Sequence, residues 1–176
     1  MVKAATYSAV ETLRDGRRID IRALRPTDRA ELLQAVGRTS LQSLYRRFFA
    51  VKRDLTEQEV AYFLNIDFID HVALVAVVEE DSRPAIVGGA RYIVIEPGSA
   101  EVAFAVIDQY QGQGIGTALM RHLAGIARGV GIRELTADVL PENNAMLRVC
   151  ATSGLPLTTK YESNIVHVAL RLDGTV

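Results

Sequence analysis

The chain has 176 residues, 49% of them hydrophobic, a formal net charge of −1 and one cysteine. That length predicts a single domain with ample apolar material for a core. The near-neutral charge argues against general nucleic-acid or polyanion binding, and the lone cysteine rules out an internal disulfide framework and fits a reducing cytoplasm. The longest unbroken apolar run, Val72 to Val78, is far short of the roughly 20 residues a membrane-spanning helix needs. Residues 1–10 lack the apolar core of a secretory signal.

In chain order, Ile19, Ile21 and Ala23 alternate with Asp20 and Arg22, which predicts a half-buried strand that ends at Pro26. Asp28 with Glu31 reads as a capping box for a helix to about Arg38. Ser40 is placed to cap a second helix that carries Leu41, Leu44, Tyr45 and Phe48 on one face. Thr56 and Glu59 form a second capping-box pattern, ahead of Val60, Phe63 and Leu64. Strands are expected over 71–79 and 85–95, joined by a turn at Asp81-Ser82-Arg83-Pro84. Pro97-Gly98 marks another turn, and a strand follows over 101–107. A helix from Ile115 to Val130 carries an apolar stripe, with Gly131 as its stop. A strand over 135–140, a helix opened by Pro141 and ended by Gly154, and an alternating strand from Val166 to Leu172 complete the order. Such an order packs naturally as a mixed sheet with helices on both faces.

Between the strand ending at Ile107 and the helix starting at Ile115 lies Gln111-Gly112-Gln113-Gly114-Ile115-Gly116. Three glycines in five positions let the backbone turn tightly and aim several N–H groups one way. The helix start adds orphan donors and partial positive charge, which suits a pyrophosphate. A dinucleotide fingerprint fails here, because Gly112 and Gly114 are followed by Thr117 where glycine or alanine belongs. A Walker A loop fails too, for want of a lysine.

The spacing Gln-x-x-Gly-x-Gly at Gln111, Gly114 and Gly116 resembles the cofactor loop of the GNAT superfamily, the acetyl-CoA-dependent N-acetyltransferases. The element order is similar to that family from Ile19 to Leu172. Longer matches point to the bacterial Pat-type protein lysine acetyltransferases. They are Ser40-x-x-Ser43-x-Tyr45-x-Arg47-Phe48-Phe49, Glu101-Val-Ala-Phe104 and Asn143-x-Ala-Met-Leu-Arg-Val149. The resemblance implies an α/β fold of α+β type, with a mixed, mostly antiparallel central sheet. It implies acetyl-CoA as co-substrate, held by the loop residues Gln111, Gly112, Gln113, Gly114, Ile115, Gly116 and Thr117. It further implies that the strand backbone at Phe104, Ala105 and Val106 pairs with the pantetheine arm, which Asn143 also contacts. Family members of this type often acetylate a lysine of acyl-CoA synthetases and carry fused regulatory domains. A chain of this length is expected to have no room for such a fusion.

Acetyl transfer to an amine needs the free base, and a lysine of pKa ~10.4 is neutral only about once in 2,500 molecules at pH 7. A general base is therefore worth about 10²–10⁴-fold. Glu101, at the head of its strand, resembles the glutamate that serves as base in the lysine-acetylating branch, and a solvated strand end is the plain alternative. Glu96 and Asp108 read as turn residues. Many family members place a proton-donating tyrosine seven residues after the asparagine; here that position is Cys150, read as a small core residue. His122 is expected in a satisfied core position, while His71 and His167 read as strand residues, and no cluster has metal-ligand spacing. Arg46, Arg47, Lys52 and Arg53 read as a solvated basic face, with a patch for an acidic partner or for cofactor phosphates as the alternative. The acceptor is expected to be a primary amine, most readily a protein lysine. A small amine or amino-acid derivative, or a non-catalytic coenzyme-A sensor, are the rival readings. No nucleic acid, membrane or metal is implied.

Overall fold

A computed structural model describes residues 3–48 and 54–173 of the chain. Eight strands are present among them: β1 (Ser8–Thr12), β2 (Arg18–Ala23), β3 (His71–Glu80), β4 (Arg83–Glu96), β5 (Ser99–Val106), β6 (Glu134–Val139), β7 (Leu157–Glu162) and β8 (Ile165–Arg171). They form one sheet in the order β1-β2-β3-β4-β5-β6-β8-β7. Every neighbouring pair is antiparallel except β5 with β6. Among the described residues five α-helices accompany the sheet: α1 (Arg29–Gly37), α2 (Leu41–Phe48), α3 (Glu57–Leu64), α4 (Ile115–Gly129) and α5 (Asn144–Ala151). No helix among the described residues is long and apolar enough to cross a membrane.

The centre of the sheet explains the apolar run read from the sequence. The first eight residues of β3 are all buried, because helices cover both faces and leave no polar side for alternation. On one face, the α4 stripe of Ile115, Leu119, Leu123 and Ala127 is at most 1% exposed. Gly88 of β4 faces this helix, since a Cβ there would lie 3.1 Å from Ile115 Cγ2. Three residues on, Arg91 points to the other face, where its guanidinium lies 4.3 Å from the centre of the Phe63 ring of α3.

Helix starts follow the expected chemistry at two places. Thr56 and Glu59 form the reciprocal capping box, at 3.2 and 2.8 Å. The Ser40 hydroxyl accepts from the Ser43 N–H at 3.2 Å. On α2, Leu44 is buried and Leu41 half exposed, and the side chains of Tyr45 and Phe48 lie outside the described ones.

Four local expectations are corrected. The edge strands β1 and β7 were not anticipated, because they lack apolar alternation; β7 is exposed at all six positions. It is held by pairing with β8 across a two-residue turn at Ser163 and Asn164, both with φ above +50°. The turn after β3 is also two residues, Asp81-Ser82, so Pro84 belongs to β4 opposite Glu79. The α5 helix begins at Asn144, not at Pro141. Asp28 does not cap α1; its carboxylate accepts two hydrogen bonds from Arg22, at 2.7 and 2.8 Å, and one from the Arg25 N–H at 2.7 Å.

This pair is shielded, with the two side chains 14% and 8% exposed, and it ties the end of β2 to the approach to α1. Burial works to raise the Asp28 pKa, but the Arg22 and Arg25 hydrogen bonds outweigh it and hold the carboxyl below its ordinary value. Asp28→Ala strands a desolvated guanidinium. It is expected to lower stability by about 3 kcal/mol, read as a lower urea midpoint at unchanged m.

Candidate active site

The sheet opens where β5 and β6 meet. Their parallel pairing covers only Ser99, Ala100 and Glu101 of β5 against Glu134, Leu135 and Thr136 of β6. Beyond that point β5 stays with β4 as far as Val106, and β6 stays with β8 as far as Val139. The two strands diverge, and the β6-facing peptide groups of 102–106 have no strand partner. A cavity of about 1050 Å³ occupies the opening. It reaches Phe104, Ala105 and Val106 on one wall, Ala137 to Val139 on the other, and the first turns of α4 and α5.

All of residues 111–117 line this cavity. Gly112 and Gly114 have φ of +75° and +94°, a conformation that L side chains adopt at a cost. Gly114 is the N-cap of α4, and no side chain caps that end. The first-turn N–H groups of α4 are therefore left for an incoming acceptor. The two glutamines have structural work for their side chains. Gln111 Nε2 donates to the Val106 carbonyl at 3.0 Å and to Ser43 Oγ at 3.3 Å, and Gln113 Oε1 accepts from Arg17 at 2.8 Å. What they offer the cavity is backbone. Gly116 is glycine for a reason the motif does not give: a Cβ there would stand 2.9 Å from Val149 Cγ2 of α5. It is the contact point of the two helices.

On α5, Asn143 is the N-cap and accepts from the Met146 N–H through Oδ1 at 3.1 Å. That leaves its Nδ2 donors for the cavity, which it also lines. Cys150 is 1% exposed, belongs to the hydrophobic core and does not line the cavity. Burial pushes its thiol up to about 11.

Glu101 is the last β5 residue paired to β6, and its exposed side chain lines the cavity at the fork. Its face of the sheet also carries Arg91, and α2 brings Arg47 towards it. Arg46 and Arg47 are half buried and line the cavity, which corrects the expectation of a solvated basic face; Lys52 and Arg53 lie outside the described residues. Burial lowers the Arg47 pKa against an opposing attraction from Glu101. Burial, then repulsion from Arg47, lowers that of Arg91 to about 9. Arg91 Nη1 is 3.0 Å from His71 Nε2, and burial and Arg91 together hold His71 below its ordinary pKa.

Asp108, read from the sequence as a turn residue, joins the loop to α2. It accepts from the Ser40 N–H at 2.9 Å, from Ser40 Oγ at 2.7 Å and from Ser43 Oγ at 3.1 Å. The serines were visible in the sequence, but nothing local paired them with an aspartate 65 residues away. His122 is satisfied as expected, between Tyr7 Oη and Glu11 Oε1, and fastens β1 to α4. His167 pairs with Asp138 at 2.6 Å.

Residues 38–154 match the family described as Acetyltransferase (GNAT) family. The chain belongs to the GNAT acetyltransferases. It is 36% identical over 146 residues to acetyltransferase PA5475 of Pseudomonas aeruginosa, covering 82% of this chain and 78% of that one. It is 34% identical over 139 residues to acetyltransferase Pat of Mycolicibacterium smegmatis, covering 78% of this chain. It spans 41% of that relative's length. The fold superposes on the crystal structure of the GNAT domain of S. lividans PAT with a TM-score of 0.84 and 34% identity, covering 93% of this chain and 96% of the other.

Two expectations follow for this GNAT chain. Gly116→Ala should force α4 from α5 and lower the melting temperature, and adding Val149→Ala should recover most of the loss. Equal melting of the single and double variants would place the strain elsewhere. Cys150→Ala should cost about 1 kcal/mol while leaving turnover within a few-fold, read by denaturation and by coenzyme A release.

Proposed function

We propose that this acetyltransferase carries an acetyl group from acetyl-CoA directly to the side-chain amine of a protein lysine, with Glu101 as general base. The observation that carries the reading is the position of Glu101 at the parting of β5 and β6. There one carboxylate stands beside a strand edge that has no neighbouring strand among the described residues. The likeness to acetyltransferase Pat and to the GNAT domain of S. lividans PAT supports a protein acceptor, as does the exposure of Glu101 to an approaching chain.

The residues present fit acetyl-CoA. The first turn of α4 and the loop at 112–117 offer N–H donors to a pyrophosphate. The peptide edge at Phe104, Ala105 and Val106, whose Val106 carbonyl is held by Gln111, would offer backbone groups to the amides of the pantetheine arm, and Asn143 Nδ2 would donate to the same arm. Bound acetyl-CoA supplies the activated acetyl group. Glu101 accepts a proton from the lysine ammonium, directly or through water, and so exposes the nitrogen lone pair for attack on the thioester carbonyl. No covalent acyl-enzyme is needed, and with Cys150 buried away from the cavity the departing thiolate takes its proton from solvent.

Two measurements test this. Glu101→Gln is expected to keep acetyl-CoA affinity by calorimetry and to lower turnover about 10²–10³-fold at neutral pH. The deficit should shrink as pH rises, because more of the acceptor is already neutral. A host lysate incubated with the enzyme and isotope-labelled acetyl-CoA should show label on protein lysines by mass spectrometry. Label confined to small metabolites would move the acceptor to that class.

A further inference from the structure

The cavity is lined by more arginines than carboxylates. Its acidic lining residues are Glu11, Glu101 and Asp138. Glu11 is committed to Arg121 and His122, and Asp138 to His167. Glu101 is left, in a cavity that Arg46, Arg47 and Arg91 also line, and its attraction acts on Arg47. Arg91 makes no ion pair among the described residues; its neighbours are the His71 ring nitrogen at 3.0 Å and the Phe63 ring at 4.3 Å. Residues 49–53, outside the described part, contain no Asp or Glu. Arg46 adds a buried Nε with no hydrogen-bond partner among the described residues.

A desolvated guanidinium without a carboxylate is costly to keep. Here it is kept beside a second arginine that repels it. Burial brings Arg91 only to about 9, so it stays charged at neutral pH. Arg91 thus lacks an anion among the described residues, and it lines the cavity into which Glu101 also projects.

Sheet register fixes how far that anion lies from the amine. Arg91 is opposite Ala103, and Glu101 is two residues along β5 on the same face. Such diagonal neighbours are about 7–8 Å apart. In an extended peptide, side chains two positions apart point the same way, with about 7 Å between their Cα atoms. A lysine directed at Glu101 therefore brings the side chain two positions away towards Arg91.

We propose that Arg91 forms an anion subsite that binds an acidic side chain flanking the acceptor lysine, so that the enzyme selects lysines in locally acidic segments. This rests on the protein-lysine reading. A planar guanidinium takes a carboxylate through two parallel hydrogen bonds, which a lysine at the same position cannot reproduce.

The test uses the whole chain and a set of peptides identical except two positions from a single lysine, with Glu, Gln or Arg there on either side. Kcat/KM is measured for each. On at least one side the Glu peptide is expected to exceed the Gln peptide about 10-fold or more, as a charge-assisted hydrogen bond allows, and the Arg peptide should be poorest. Arg91→Met should erase that order while leaving the Gln peptide within a few-fold of wild type, and Arg91→Lys should retain part of it. The wild-type ranking decides the matter even if Arg91→Met fails to fold. Equal values for Glu and Gln peptides on both sides, with turnover present, would overturn the subsite and spare the lysine reading. No turnover of any lysine peptide by an enzyme that acetylates small amines would overturn the lysine reading and the subsite with it.

Discussion

The parting of β5 from β6 after three paired residues is the constraint on which the rest of this structure depends. A strand edge without a neighbouring strand is a constraint, since each outward-facing peptide group carries a donor and an acceptor that need partners. The chain tolerates this edge because it borders a cavity, and because one of its carbonyls, that of Val106, is taken by the Gln111 side chain. The opening lets the α4 N-terminus face the same space as the strand backbone, and it leaves Glu101 at the fork. A β6 that followed β5 to its end would close the cavity and leave an ordinary mixed sheet.

The wall opposite the strand edge is built by contacts distant in sequence. Asp108 holds the start of α2 through Ser40 and Ser43, and Gln111 reaches the same Ser43 hydroxyl. The segment expected to grip pyrophosphate is thus bonded to the helix that presents Arg46 and Arg47 to the cavity. Gly116 against Val149 does the equivalent on the other side, letting the first turns of α4 and α5 approach closely. Arg91 is also half buried, and it makes no ion pair among the described residues.

Much of the frame was legible in the sequence. The α4 stripe, the Thr56–Glu59 capping box, the apolar run Val72 to Val78 of β3 and the loop at 111–117 all express short-range periodicity or turn chemistry. The edge strands were not legible, because β1 and β7 bury too little to carry alternation and are specified by their hairpin partners. Asp28 was misread as a cap because its short-range spacing fitted one, while its actual partner, Arg22, lies behind it on β2. Arg46 and Arg47 were misread as a solvated face for a similar reason: charge in sequence implies water, and only packing over the sheet shows otherwise.

By itself the sequence determined the chemistry on offer, namely a glycine loop at a helix start, a carboxylate at a strand head, an asparagine at a second helix start and a cysteine where a tyrosine acid would stand. These are local, and local spacing encodes them. The tertiary structure alone decided what converges. It placed the β5–β6 divergence at Glu101, set Gly116 against Val149, withdrew Cys150 from the cavity, brought Arg47 from α2 towards the Glu101 carboxylate and set Arg91 of β4 beside Arg47. Those outcomes depend on strand register and on the approach of elements dozens of residues apart, for which one chain's residue pattern carries no short-range signal.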